Sequence, residues 1–213
     1  MKSSLPITKI LAISGSLRAA SLNSTLLRAT ARLAPPDIHI ELFGELGSLP
    51  LFNPDIEIAD APPVASFRAR ILEADGILIA SPEYAHGVTG VIKNALDWMV
   101  GCEAFVNKPV ALLNASPRAT QAQASLHEII TVMSARIVEE ASITLPILGS
   151  SLDESGMINN PAISSALRNA LHAFRARIIV HEMLTSSDSA ERTAQFSLAA
   201  PAQSSQPTKR SKP

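Results

Sequence analysis

The sequence predicts a doubly wound α/β sandwich, in which a parallel sheet of five strands carries helices on both faces. Short apolar runs alternate with stretches of helical periodicity from Ile10 to Phe174. Most runs are apolar at nearly every position, as strands covered on both faces require. Two of the runs break at their carboxyl ends into Ser, Gly or Pro, and open parallel sheets bind ligands in the crevice beyond those ends. The sequence therefore places a candidate site at that edge of the sheet.

In the first half of the chain, caps and prolines separate two strands from two helices. Ser21 or Asn23 is a suitable N-cap, because its short side chain accepts an otherwise unpaired N–H group of the first helical turn. The proline pair at residues 35–36 ends that helix, and Pro62 fits the first turn of the next one. These signals predict, in order, a strand at residues 10–14, a helix ending at Leu33, a strand at residues 38–43 and a helix from Pro62.

The second half of the chain continues the same alternation. Asn160 is a good cap for a final helix, because Pro161 then occupies the first helical position. Apolar residues recur at helical spacing in the two longer helices. The predicted elements are a strand at residues 76–80, a helix at about 89–100, a strand at 110–114, a helix on Leu126, Ile129, Ile130 and Met133, a strand within 137–145, and a helix lined by Ile163, Leu167, Leu171 and Phe174.

Composition limits the classes of function. The chain has 213 residues, 46% of them hydrophobic and 17% charged, which is typical of a globular domain. A net charge of −1 favours neither nucleic acid nor an anionic membrane as partner, and no apolar run is long enough to insert across a bilayer. The lone Cys102 excludes an intrachain disulfide framework and favours a reducing, cytoplasmic compartment. We expect one domain over residues 1–184 and a disordered, Ser-, Ala-, Pro- and Gln-rich tail over residues 185–213.

The loop after the first strand has the chemistry of a phosphate site. It opens a helix, whose N-terminus presents unpaired N–H groups and a positive dipole. Gly15 is expected to let the backbone turn tightly around the anion. The loop is neither a Walker A motif nor a G-x-G-x-x-G sequence, which disfavours a dinucleotide pyrophosphate. Taken alone, it fits equally well a set of ordinary helix caps beside a solvated arginine. The side chains that carry the phosphate prediction are Ser14, Ser16, Arg18, Ser21 and Asn23.

The loop after the third strand, residues 81–87, fits a planar ligand. Pro82 fixes the backbone φ angle and Gly87 permits close approach of the backbone. Together with Tyr84 they combine apolar walls with backbone donors and acceptors, as a flat heterocycle needs. Glu83 is either a base or a structural carboxylate that pairs with an arginine across a subunit contact. His86 has no second His or Cys at ligand spacing, so we expect no metal site.

Three segments together resemble the NADPH-dependent FMN reductases of the flavodoxin-like superfamily, a group that includes bacterial quinone, chromate and azo-dye reductases. The segments are GSLRAASLN, LPLFNPD and SPEYAHGVTGVIKNALDW, and the resemblance covers about residues 9–147. It implies a flavodoxin-like three-layer sandwich whose five-stranded parallel sheet has the order 2-1-3-4-5. Strands one and three are neighbours in that order, which agrees with one site shared by the two loops.

The resemblance also implies a role for each candidate residue. The FMN phosphate is expected on the first loop, and Ser116 occupies a third position that faces the flavin. The family's usual glycine-rich stretch is replaced here by Ser-Pro-Arg-Ala-Thr at residues 116–120, so Arg118 is expected to contact either the flavin or a nicotinamide phosphate. Many relatives carry Asn where this chain has His86. The isoalloxazine and ribityl groups are expected on Pro82, Glu83, Tyr84, His86 and Gly87.

The implied activity is a flavoprotein reductase. NADPH or NADH is expected to pass hydride to N5 of FMN, and a quinone-like, azo, metal-oxyanion or flavin acceptor then takes the electrons in a ping-pong cycle. No catalytic side chain is expected, and the protein is expected to form a homodimer or homotetramer. The main alternative is a flavodoxin-like electron carrier without NAD(P)H turnover, although such carriers are usually strongly acidic. Further alternatives are a protein that uses FMN as a diffusing substrate and an interaction protein that has lost flavin.

Overall fold

A parallel sheet in the order β2-β1-β3-β4-β5 forms the centre of the computed structural model. This is the strand order that the family resemblance implies, which is therefore confirmed. The structure describes residues 6–101 and 103–198, and side chains up to residue 185. The strands are β1 (Thr8–Ser14), β2 (Ile38–Phe43), β3 (Gly76–Ala80), β4 (Pro109–Asn114), β5 (Arg136–Ile137) and β6 (Ile143–Thr144); the helices are α1 (Leu22–Leu33), α2 (Pro62–Glu73), α3 (Gly90–Met99), α4 (Thr120–Val132), α5 (Glu154–Asn159) and α6 (Pro161–Leu198).

Two buried clusters cover the two faces of the sheet. Strand side chains alternate between them, so that Leu11 and Ile13 contribute to one cluster while Ile10 and Ala12 contribute to the other. Helices α2, α3 and α4 pack on the first face, and α1, α5 and the first part of α6 pack on the second. The result is the predicted three-layer sandwich. Burial of this apolar surface is the main favourable contribution to folding.

The register of the strands sets the position of the loops. Ser14 at the end of β1 pairs with Ala80 at the end of β3, and Ala80 in turn pairs with Leu113 of β4. The three strands therefore end at nearly the same level. The loops that follow β1, β3 and β4 leave the sheet side by side, at its carboxyl edge.

The predicted fifth strand is two short strands instead of one. Both β5 and β6 pair with β4, and a short 3₁₀ turn at Glu139–Ala141 separates them. The hydroxyl of Ser142 accepts the backbone N–H of Leu112 at 3.1 Å and donates to the Val138 carbonyl at 2.9 Å. A side chain thus supplies the ladder hydrogen bond that the interruption removes.

Two features of the C-terminal region differ from the sequence-based expectation. Helix α5 was not predicted, because its six residues are too few for a visible apolar period; the carboxylate of Asp153 caps it by accepting the N–H of Gly156 at 2.7 Å. The backbone of α6 remains helical to Leu198, through part of the predicted tail. The sequence contains neither Gly nor Pro between Pro161 and Pro201, and therefore no strong helix breaker.

The chain divides into a first unit that ends at Ile178 and a second that begins at Ile179. The predicted boundary at residue 184 lies inside the second unit. The part of the predicted tail at residues 199–213 lies outside the described residues. Among the helices that the structure describes, none is long and apolar enough to cross a membrane.

Candidate functional site

A cavity of about 360 Å³ lies where the loops after β1, β3 and β4 meet. Its size is within the usual range of small-molecule sites. All three loops contribute to its wall, and the segment after β6 adds one residue. The lining residues are Ser16, Arg18, Ala20, Ser21, Leu22, Asn23, Ser81, Pro82, Glu83, Tyr84, Asn114, Ala115, Ser116, Arg118, Ala119 and Leu148.

The first loop ends in a capped helix that opens onto the cavity. Ser21 is the N-cap of α1, and its hydroxyl accepts the N–H of Ser24 at 3.2 Å. The remaining first-turn N–H groups have no partner within the helix and point out of its N-terminus, where the helix dipole is positive. The Ser16 hydroxyl accepts the N–H of Arg18 at 3.4 Å. This loop therefore presents donors and positive charge to the cavity.

Asn23 provides a direct test of whether an anionic group fits this loop. The residue is buried and lines the cavity, and its Oδ1 has no hydrogen-bond partner within the described part of the chain. An unsatisfied buried polar atom is unfavourable in a native protein unless a ligand or water satisfies it. Rotation of the amide by 180° exchanges Oδ1 for the donor Nδ2. In that orientation Asn23 places an unpaired donor in the first turn of α1, beside the cavity that an anionic group would enter.

Ser14 lies behind the loop, although the sequence places it among the phosphate ligands. Its hydroxyl is 2.8 Å from the hydroxyl of Ser24 and 3.4 Å from the N–H of Ser16. It does not line the cavity. Ser14 therefore supports the shape of the loop and joins β1 to the first turn of α1.

Gly15 has a different role from the predicted one. A Cβ atom at this position would lie 2.2 Å from Oγ and 2.6 Å from Cβ of Ser81, which follows β3. The N–H of Gly15 donates to the Ala80 carbonyl at 2.8 Å, and its carbonyl accepts the Thr89 hydroxyl at 2.7 Å. Glycine is therefore required by the close contact of the first and second loops, and the prediction that it turns around an anion is not needed to explain it.

The second loop contains a tight turn with an unusual backbone. Tyr84 and Gly87 exchange backbone hydrogen bonds of 3.1 and 3.0 Å, and the two residues between them, Ala85 and His86, have φ angles of 50° and 58°. Both central residues with positive φ are typical of a type I′ turn, which non-glycine residues adopt at a conformational cost. The turn positions Tyr84 and Pro82 against the cavity, while the side chain of His86 is 86% exposed. His86 and Gly87 do not line the cavity.

Glu83 connects the second loop to the start of α4. The N-cap position of α4 is Ala119, which has no side chain able to cap. One carboxylate oxygen of Glu83 instead accepts the N–H of Ala122 in the first turn at 2.9 Å, and the other lies 3.3 Å from Nδ1 of His86. A carboxylate at a helix N-terminus also interacts favourably with the dipole. Of the two predicted alternatives, the geometry favours the structural carboxylate, with a helix terminus within the same chain as its partner.

The third loop follows β4 and is organised by a buried amide. Oδ1 of Asn114 accepts the N–H of Ser116 at 3.0 Å, and the hydroxyl of Ser116 accepts the N–H of Arg118 at 3.2 Å. These bonds turn the chain from β4 into α4 and leave the Arg118 side chain exposed beside the cavity. The sequence identified Ser116 and Arg118 here but missed Asn114, which reads as the last residue of a buried strand.

Arg118 and eight of the eleven residues predicted to hold FMN line the one cavity; the eight are Ser16, Arg18, Ser21, Asn23, Pro82, Glu83, Tyr84 and Ser116. Sequence reasoning missed the apolar and small lining residues, because Ala20, Ala115 and Leu148 carry no distinctive chemistry. It also missed Thr89, which caps α3 and fixes the first loop. In the part of the chain that the structure describes, no three His, Cys, Asp or Glu side chains converge as a metal site.

Comparison with known proteins shows which family and which relatives the chain resembles. The family model described as NADPH-dependent FMN reductase matches residues 8–147. An NAD(P)H-dependent FMN reductase of Pseudomonas aeruginosa is 32% identical over 173 residues, which are 78% of this chain and 93% of that protein. A 2-hydroxy-1,4-benzoquinone reductase of a Burkholderia species is 35% identical, over 78% of this chain and 91% of that protein.

Solved structures show the same fold. A flavoenzyme NAD(P)H:(acceptor) oxidoreductase from Paracoccus denitrificans superposes with a TM-score of 0.71 and 26% identity, over 82% of this chain and 99% of that chain. The agreement extends through nearly the whole of that structure. The loops described above therefore lie on a scaffold that this flavoenzyme shares.

Proposed function

The chain belongs to the NADPH-dependent FMN reductase family, and on that premise we propose that it is an NAD(P)H-dependent flavoprotein reductase that binds FMN in the cavity and reduces a quinone-type acceptor. The observation that carries the proposal is the meeting of three loops in one cavity, with a capped helix N-terminus and the unpaired amide of Asn23 on its wall. FMN joins a single phosphate to a planar ring. The cavity matches that division, because one wall is rich in donors and the next is formed by Pro82 and Tyr84.

The residues of the chain bind and orient the cofactor. The first loop is suited to the phosphate through Ser16, Arg18, Ser21 and Asn23, and Pro82 with Tyr84 to the ring. FMN, when bound, supplies the hydride-accepting and electron-donating chemistry. No side chain lining the cavity is needed as a nucleophile, and Glu83 is occupied at the start of α4. The protein therefore contributes position, exclusion of water and fixed dipoles.

We further propose that reductant and acceptor use the same open side of the cavity in turn, in a ping-pong cycle. The proposal is supported by the meeting of all three loops in one cavity at the carboxyl edge, where a bound flavin and either of its partners would share the same space. The names of several relatives support a quinone as acceptor, among them the Burkholderia protein and a quinone reductase of Pseudomonas putida that is 32% identical over 72% of this chain. Parallel double-reciprocal plots against NADPH and benzoquinone concentration would be the expected kinetic pattern, whereas intersecting lines would contradict the shared position.

The decisive experiment follows the absorbance of flavin under anaerobic conditions. Protein reconstituted with FMN is mixed with NADPH. The visible absorption band of the oxidised flavin is expected to bleach rapidly and to return when a quinone is added. Flavin that binds and stays oxidised would favour the electron carrier. Protein that does not retain FMN would contradict the assignment of the loops.

We propose that the protein forms a homodimer or homotetramer through the loop at residues 49–57, which connects the 3₁₀ turns Leu46–Ser48 and Ile58–Asp60. Leu51 is 84% exposed there and Phe52 is also exposed. The loop is nonetheless well fixed, because the Asn94 side chain bonds to both Phe52 and Pro50 and the Trp98 indole donates to the Pro50 carbonyl at 2.8 Å. Rigid exposed apolar residues are typical of interfaces. The substitution Leu51→Asp is expected to lower the mass measured by light scattering.

We propose a cytoplasmic location for the protein. The chain has one cysteine, which fits a reducing compartment. NAD(P)H as reductant fits the same compartment. Fractionation of the native host, with activity recovered in the membrane pellet or the secreted fraction, would contradict this proposal.

A further inference from the structure

Two arginines differ from all others in the body of the chain. Within residues 6–101 and 103–178, only the guanidinium groups of Arg18 and Arg118 lack a hydrogen-bond or ion-pair partner, and both line the cavity. An arginine without a counter-charge at a cavity wall is suited to bind an anionic ligand. The arginines that do have a partner are Arg28, Arg32, Arg68, Arg70, Arg136, Arg168, Arg175 and Arg177.

The two unpaired arginines stand on the two outer loops of the three that form the cavity. Arg18 follows β1 and Arg118 follows β4, and β3 lies between those strands. Neighbouring strands are about 4.8 Å apart, so the two loops leave the sheet about 10 Å from each other. A phosphate on the first turn of α1 lies on the Arg18 side. Arg118 is therefore left for the anionic group of a second ligand.

A shallow groove of about 530 Å³ adjoins the cavity on the Arg118 side. Asn114 lines both the cavity and the groove, and Pro117, the neighbour of Arg118 in the third loop, lines the groove. The third loop thus forms a ridge between them. The remaining lining residues are Thr144 and one face of α4, namely Thr120, Gln123, Ala124 and His127, which recur at helical spacing.

The groove is suited to a flat, mostly uncharged group. Its helical face offers small and amide side chains, and His127 is engaged with the carboxylate of Glu139 at 2.8 Å. No carboxylate is among the lining residues of the groove. A ligand that occupies it from the cavity must pass over the ridge, beside the Arg118 guanidinium.

We propose that the groove binds the adenosine half of NADPH and that Arg118 binds its 2′-phosphate. This inference rests on the proposed function and specifies its reductant. Quinone acceptors are uncharged, so of the two partners that visit the cavity only the nicotinamide dinucleotide brings phosphate. A phosphate monoester carries close to two negative charges at neutral pH, and arginine binds it in a bidentate manner. NADH shares the pyrophosphate but has a hydroxyl in place of the 2′-phosphate, so a 2′-phosphate bound to Arg118 favours NADPH over NADH.

The first test measures binding by calorimetry with FMN-saturated protein, in which the first loop is occupied. The probes are adenosine 2′,5′-bisphosphate and 5′-AMP. Arg118→Gln is expected to weaken the bisphosphate at least about tenfold, because one charge-assisted pair is lost, and to leave 5′-AMP and FMN affinities unchanged. The matched control is Arg32→Gln, which removes the same charge from an exposed arginine outside the cavity. Equal bisphosphate affinity in wild type and Arg118→Gln, or none in wild type, would overturn the inference.

The second test separates the groove from the ridge. Ala124→Trp places a large side chain in the groove and is expected to raise KM at least about tenfold for both NADPH and NADH. Val132→Trp is the control on the same helix, at a position that is 72% exposed and outside the groove. Arg118→Gln, by contrast, is expected to raise KM for NADPH alone with kcat little changed. An equal rise in KM for NADPH and NADH in Arg118→Gln would show that Arg118 does not bind the 2′-phosphate.

Failure of the reductase assignment can be distinguished from failure of the Arg118 inference. If FMN is not retained, or the bound flavin is not reduced by NADPH, the reductase assignment fails in the wild type itself. Binding of the bisphosphate to the protein without flavin still tests the anion site, because Arg18→Gln and Arg118→Gln then report which guanidinium is used. Loss of binding in Arg18→Gln alone would overturn the inference.

Discussion

Substitution of Gly15 tests the contact that joins the first two loops. In Gly15→Ala the new methyl group would lie 2.2 Å from Oγ and 2.6 Å from Cβ of Ser81, whereas ordinary contact begins at 3.4 Å. The loops must therefore separate by about 1 Å, and overpacking of this kind costs about 1–3 kcal/mol. Each kcal/mol lowers Tm by about 2–4 °C in a protein of this size. We expect lower stability in urea and a weaker affinity for FMN, both measured on purified protein.

A double-mutant cycle decides whether Ser81 is the cause. Ser81→Ala removes only the nearest atom, and Ser81→Gly removes both of the two closest atoms. The penalty of Gly15→Ala should therefore decrease stepwise in these backgrounds, by at least about 1 kcal/mol with Ser81→Gly. Gly44→Ala is the matched control, because nothing lies within 4 Å of a Cβ at that position. A penalty that is the same in all three backgrounds would refute the reasoning.

Substitutions at three further positions test ligand binding, helix capping and the pH dependence of stability. Arg18→Ala is expected to raise the Kd for FMN at least about tenfold with an unchanged urea midpoint, since its guanidinium has no partner in the described chain; an unchanged Kd in a flavin titration would remove Arg18 from the site. Glu83→Ala should lower the free energy of unfolding by about 1–2 kcal/mol and Glu83→Gln by less, since only the latter keeps an acceptor for the N–H of Ala122; equal losses would show that charge alone matters. Burial lowers the pKa of Lys108 below its ordinary 10.5, with Asp75 partly opposing. Between the lowered pKa and 10.5 the unfolded state binds more protons than the folded state, so the free energy of unfolding rises with pH across that interval. This rise should be absent from pH-dependent urea titrations of Lys108→Met.

The strands could be predicted because each depends on local pattern, whereas their order is the one that the family resemblance implies. The bounds of β2 and β3 are those predicted, residues 38–43 and 76–80. An uninterrupted apolar or alternating run between turn signals leaves few other places for a strand to begin or end. The fifth strand could not be placed in the same way. Its pairing with β4 is interrupted, and the hydroxyl of Ser142 replaces a backbone group in the ladder. A bond between a side chain and a residue thirty positions away leaves no local periodicity.

The polar residues of the site could be predicted for a related reason, whereas the hydrogen bonds that hold its loops in place could not. Polar residues after a buried strand indicate a ligand, as at Ser16, Arg18 and Asn23, because the strand gives them a fixed location. The residue that each loop needs as a neighbour is set only by the fold. Thr89 donates to the Gly15 carbonyl across 74 positions, and Glu83 caps α4 across 39.

These supports connect the three loops in a fixed order. The first loop packs on the second through Ser81 and is bonded to Thr89, the cap of α3 just after the second loop. The second loop is bonded to the start of α4, just after the third loop, through Glu83. A change in the second loop is therefore transmitted to both of its neighbours, whereas a change in the first or third is transmitted to one. For this reason Glu83→Ala should weaken the site on the Arg118 side as well as on its own. An unchanged bisphosphate affinity in that variant would show that the third loop keeps its shape without the cap.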